Sequence, residues 1–136
     1  MTGPNHRPNR VRAVVPVALL DLALIVVFAA IGRRSHDEGS ALGGTLVVAA
    51  PFLIGYVIAA VAGRLDRDSR GVRRGMAVAV GAAVLGLGLR GSVFDRGLAP
   101  AFVVVAVITI TALLVGWRLI VARIAPRGTR DASTPR

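Results

Sequence analysis

The sequence predicts an all-α, polytopic membrane protein built as a compact bundle of four transmembrane helices. Three observations carry this expectation. Four apolar runs, at about 13–32, 41–63, 73–90 and 99–122, each approach the ~20 residues a helix needs to cross a bilayer. The 136 residues are 54% hydrophobic, with a mean hydropathy of +0.69, whereas soluble domains hold roughly 45–50% apolar residues even with Gly counted. The net charge of +10 comes from basic residues placed between the runs, not along one continuous face.

The first run, Ala13 to Gly32, reads AVVPVALLDLALIVVFAAIG and holds a single carboxylate, Asp21. A central Asp costs about 2.5–3.5 kcal/mol on the insertion scale, and each Leu, Ile, Val or Phe returns about 0.3–0.6. Twelve such residues outweigh it, so the segment is expected to span. Arg7, Arg10 and Arg12 precede it as they would a signal peptide, but the run exceeds the ~7–15 residues of a signal core and lacks a small-residue cleavage site. Residues 1–12, with two Pro, two Asn and three Arg, are expected to be a disordered cytoplasmic tail. Pro16 is expected in the first helical turn, where its missing N–H is harmless. Gly32 is expected to end the helix before the polar loop RRSHDEGS.

The second span contains Pro51, which should kink it or free a carbonyl. Gly55, Ala59 and Gly63 recur every four residues and leave a strip fitted to close helix contact. The third span is short and rich in Gly and Ala; Gly75, Ala79 and Ala83, with Ala82 and Gly86 beside them, form a matching strip. Spans two and three are therefore expected to make a tight antiparallel hairpin around the charged connection Arg64–Arg74. The fourth span starts near Pro100. Its Val/Ile/Thr run would suit a strand, but its length and lack of turn residues favour a membrane helix. Trp117 lies near its far end, where an interfacial ring is expected. Residues 123–136 are expected to be a second disordered tail.

Orientation follows from counting. The N-terminus, the second connection and the C-terminus together hold 13 arginines, and the other side holds four: Arg33, Arg34, Arg90 and Arg96. The arginine-rich side is cytoplasmic by the positive-inside rule, which puts both termini inside a cell inner membrane. All 17 basic residues are Arg, and a sequence pI near 12 would ordinarily point to nucleic acid. Their placement around apolar runs points instead to the lipid bilayer, so no nucleic-acid partner is expected.

A carboxylate at membrane depth is a candidate functional residue. Asp21 lies about 8–12 Å below the cytoplasmic edge, and Arg118 about 6 Å below it, at 1.5 Å per residue. An Asp21–Arg118 pair across spans one and four is therefore expected, in preference to Arg90 at the opposite edge. Two readings stay open: the pair fixes helix register, or Asp21 is a protonatable or ligand-binding group. Outside the membrane, Arg33, Arg34, Ser35 and His36, with Arg90, form a candidate external polar cluster. Arginines there also suit a helix C-terminus and lipid phosphates. Thr109 and Thr111 are expected to bond back to their own helix carbonyls. The basic inner connection is expected to set topology and touch anionic lipid, with protein docking second.

Several chemistries are excluded. There is no Cys, so disulfides, thiolate metal sites and cysteine nucleophiles are absent. Neither His6 nor His36 lies in a span, no span pairs carboxylates for a metal, and no phosphate loop or nucleophile elbow occurs. Neither catalytic residues nor a cofactor or metal is expected.

Asp21, the run Gly32-Arg33-Arg34-Ser35-His36, Pro51, Arg90, Pro100-Ala101-Phe102 and Gly116-Trp117-Arg118 together resemble a family of small four-span prokaryotic membrane proteins known as a domain of unknown function. The resemblance covers about residues 13–122. It implies a polytopic membrane protein and supplies no activity. Small multidrug transporters also have four spans and one carboxylate in the first, but this chain differs in its strong charge bias and few span aromatics. The expected function is therefore non-enzymatic: a binding or accessory/assembly protein, acting as a homo-oligomer or with a larger membrane-protein partner. The alternative is a small proton-coupled transporter or channel using Asp21.

Overall fold

A computed structural model describes residues 8–33, 41–93 and 98–124, and all of its long elements are helices: α1 (Pro8–Arg33), α2 (Ala41–Ala62), α3 (Val72–Ser92) and α4 (Pro100–Ile124). A single 3₁₀ turn, Leu65–Arg67, interrupts the connection between α2 and α3. The helices alternate in direction and pack in sequence order, with α1 closing against α4. The α2–α3 interface is the most extensive and the α1–α4 interface the smallest. Each helix carries a stretch of 20 to 25 residues long and apolar enough to cross a membrane: Val14–Arg33, Leu42–Ala62, Val72–Ser92 and Pro100–Ile124. The outer surface is apolar too. Val61 and Ile124 are each 74% exposed, and Ile108 is 63% exposed, in a belt of Leu, Ile and Val that lipid covers and water would not. This is a multi-pass membrane protein.

The ends of the spans differ from expectation in small ways. Residues 8–12 belong to α1 rather than to a tail, because Pro8 opens the helix at the position where Pro is tolerated. Pro16 consequently lies inside α1 and not at its start. The 26 residues of α1 extend about 39 Å, so its ends overrun the ~30 Å hydrocarbon layer. Helix α1 also continues past Gly32 to Arg33, a cation suited to a helix C-terminus. The third span runs from 72 to 92 rather than 73 to 90, held at its end by Val93 N–H donating to Leu89 O. Residues 123 and 124 extend α4, with Arg123 in its last turn, into what the sequence reads as tail. The remaining tail residues, 1–7 and 125–136, lie outside the described residues.

Small residues set the distance between α2 and α3. A Cβ built on Gly55 would sit 2.7 Å from Gly86 N and 2.8 Å from Ala82 O; one built on Gly86 would sit 2.9 Å from Phe52 Cα. The two backbones are therefore in contact, as the small strips require. Pro51 is buried within α2. Past α2, Arg64 takes a left-handed conformation (φ 51°) that turns the chain toward α3. Leu65 then tucks under the bundle, 2% exposed.

The core has two tiers. Toward the ends of α1 and α3, Phe28 meets Phe52 edge-on at 5.7 Å and Phe52 meets Phe102 at 6.3 Å, with the Arg90 guanidinium 4.3 Å from the Phe102 ring centre. Toward the α2–α3 connection the core is polar.

Thr111 departs from the expected back-bonding: its Oγ1 is buried with no hydrogen-bond partner among the described residues. An unsatisfied hydroxyl costs about 1–3 kcal/mol. Thr111→Val is thus expected to stabilise the bundle by about 1 kcal/mol, read as a raised unfolding midpoint in detergent. A lowered midpoint would mean that the hydroxyl has a partner.

Candidate functional site

The polar tier is built around Asp21, whose side chain is fully buried in α1. Four hydrogen bonds converge on it. Oδ1 accepts from Trp117 Nε1 at 2.9 Å and from Arg118 Nη1 at 2.9 Å. Oδ2 accepts from Tyr56 Oη at 2.8 Å and from Arg118 Nη2 at 2.6 Å. The Arg118–Asp21 contact is therefore a bidentate fork with both side chains out of solvent. An ionised carboxylate offers about four lone-pair sites, and here donors occupy all four.

Arg118 is held as tightly. Its Nε donates to the carbonyl of Ser69 at 3.2 Å, and Nη1 also donates to Leu114 O one turn back. The guanidinium lies 4.6 Å from the Trp117 ring centre. Room for its stem comes from Gly75 on α3, where a Cβ would collide with Arg118 Cδ and lie near Nε. All four helices thus contribute: the acid from α1, a hydroxyl donor from α2, space from α3, and two donors from α4. The pair also bridges α1 and α4, the neighbours with the least backbone contact. Neither charge can be removed alone without leaving the other buried and uncompensated.

The sequence reading brings Asp21 and Arg118 together, and so does the structure. It misses Tyr56 as a donor, assigns Trp117 to the interface, and has no access to Ser69 or Gly75. A signal was available, since Tyr56 and Trp117 are the chain's single Tyr and single Trp and both sit at the depth of Asp21. Of the external cluster, Arg33 lies against Gly44 of α2, where a Cβ would strike its guanidinium, and Arg90 lies over Phe102. Arg34, Ser35 and His36 fall outside the described residues. Among the described residues no three His, Cys, Asp or Glu side chains gather as a metal site would require.

The profile of the DUF3054 family, a protein of unknown function, matches residues 18–121. The chain belongs to the DUF3054 family. No curated protein and no solved structure matches it. The DUF3054 match runs from just before Asp21 to just past Arg118, so it contains every residue of the buried network. It brings no activity with it.

Proposed function

We propose that this protein is a non-enzymatic, multi-pass component of the cytoplasmic membrane that acts by binding, as an accessory or assembly partner of other membrane components. In this reading its termini and its α2–α3 connection face the cytoplasm, the side on which the arginines concentrate. The observation that supports a binding role over transport is the saturation of Asp21 by Tyr56, Trp117 and both arms of Arg118. A carboxylate that carries ions must exchange partners, and this one has no lone-pair site left over for a passing cation. Its role is to clamp the bundle so that the outer surface keeps one shape.

Reconstitution tests this directly. Vesicles containing the wild-type chain and a trapped pH dye are expected to hold an imposed proton gradient as long as empty vesicles do. Asp21→Asn is expected to reduce the amount of protein in the membrane. The opposite pattern, rapid gradient collapse that Asp21→Asn abolishes at unchanged protein level, would establish a proton-coupled transporter instead.

A further inference from the structure

The segment between α2 and α3, a basic connection expected from the sequence to set topology and touch anionic lipid, is anchored at two points. Leu65 is buried in the hydrophobic core, and the 3₁₀ turn it opens touches α1, α2 and α3. The Ser69 carbonyl accepts from Arg118 Nε, in a residue only 8% exposed. Between and beyond these anchors the side chains of Arg64, Arg67, Arg70 and Arg73 all face outward. Arg74 donates back to Arg64 O at 3.3 Å, which ties the start of the segment to the first turn of α3. The same segment holds two exposed carboxylates, Asp66 and Asp68, the second accepting from Gly71 N at 2.8 Å, so its five arginines outnumber its acids. The exposed face is therefore cationic, and its shape is held from within the membrane by the same guanidinium that clamps Asp21.

We infer that this face is a preformed docking platform for the headgroups of anionic phospholipids in the surrounding bilayer. Position selects this partner over an acidic protein. The arginines begin two residues after α2 ends and reach the first turn of α3, so a bilayer crossed by these two helices would bring its phosphates to their level. Their stems can run along the apolar helix ends while the guanidinium groups meet the phosphates. Guanidinium pairs with phosphate through a two-pronged hydrogen-bonded fork, and a fixed backbone reduces the ordering that binding requires. This inference stands apart from the binding role proposed above, since a transporter could carry the same platform.

Trp117, the single tryptophan, is beside Arg118 and so reports from the same end of the bundle. Its fluorescence in the full-length protein, quenched by brominated phosphatidylglycerol or brominated phosphatidylcholine in mixed vesicles, gives the relative affinity for the two headgroups. A clear preference for phosphatidylglycerol is expected. It should fall by up to about fivefold for each of Arg67→Gln, Arg70→Gln and Arg73→Gln, and approach unity when all three are combined. High salt should weaken it, and millimolar inorganic phosphate at constant ionic strength should leave it intact. Unfolding midpoints in phosphatidylcholine are expected to be the same for the variants and the wild type, and the single variants decide the matter if the triple one does not fold. Equal quenching by the two lipids overturns the proposal, as does a preference unchanged in all the variants. Loss of the preference to inorganic phosphate would reassign the face to free phosphate. Equal quenching together with arginine-dependent binding of polyglutamate would reassign it to an acidic protein.

Discussion

Arg118→Met is expected to destabilise the bundle by about 3–5 kcal/mol, the loss that follows from breaking a buried ion pair on one side. The substituted side chain fits the space beside Gly75, so the loss comes from charge. Asp21 would keep Tyr56 and Trp117 as donors but lose its counter-ion at a site with no solvent. The Ser69 carbonyl would lose the Nε donor as well, loosening the α2–α3 connection. Removing both charges tells a different story. Asp21→Leu combined with Arg118→Met, Tyr56→Phe and Trp117→Phe leaves neither a buried charge nor a donor aimed at position 21, and is expected to recover most of the stability, because well-packed apolar groups commonly replace a buried pair without loss. A charge swap, Asp21→Arg with Arg118→Asp, is expected to fail, since Trp117 Nε1 can only donate and would then face another donor at position 21, even though the Tyr56 hydroxyl could turn to accept. Unfolding in mixed micelles, followed by circular dichroism, orders the four proteins. Were the swap as stable as the wild type, simple charge complementarity would suffice and the four-donor arrangement would be incidental.

The second large effect separates two glycines of α3. Gly86→Ala is expected to destabilise by about 1–3 kcal/mol, whereas Gly88→Ala, two residues on, is expected to stabilise by up to about 1 kcal/mol. A Cβ at 86 would be 2.9 Å from Phe52 Cα and would press on the Phe52 ring, which also packs against Phe28 and Phe102. A Cβ at 88 meets nothing within 4 Å, so there the helix gains rigidity at no steric cost. Because Gly86 also faces Gly55, the paired change Gly55→Ala with Gly86→Ala should differ from the sum of the singles. The same unfolding assay reads all four variants. Equal shifts at 86 and 88 would mean that the α2–α3 backbones are not in close contact.

The number of spans, their approximate ends and the tightness of the second hairpin were legible because each depends on local composition. An apolar run of ~20 residues and a small residue every fourth position are visible in any window of the chain. Asp21 and Arg118 could be paired from the sequence by depth alone, as two opposite charges below one edge. Residues whose roles depend on helix rotation were not legible. Tyr56 reads as one more span aromatic until α2 is turned so that its hydroxyl faces α1. Gly75 reads as part of a small strip until α4 lays an arginine across it.

By itself, then, the sequence determined that this chain crosses a membrane four times, and which of its charges lie too deep to stand alone, because burial in lipid penalises polarity residue by residue. Only the tertiary structure decided that Asp21 is fully satisfied, that Ser69 and Gly75 serve Arg118, and that the arginines of the α2–α3 connection sit on an anchored platform. The reason is geometric. Hydrogen bonds between helices depend on how each helix is rotated about its axis, and that rotation is set by packing against all of its neighbours at once.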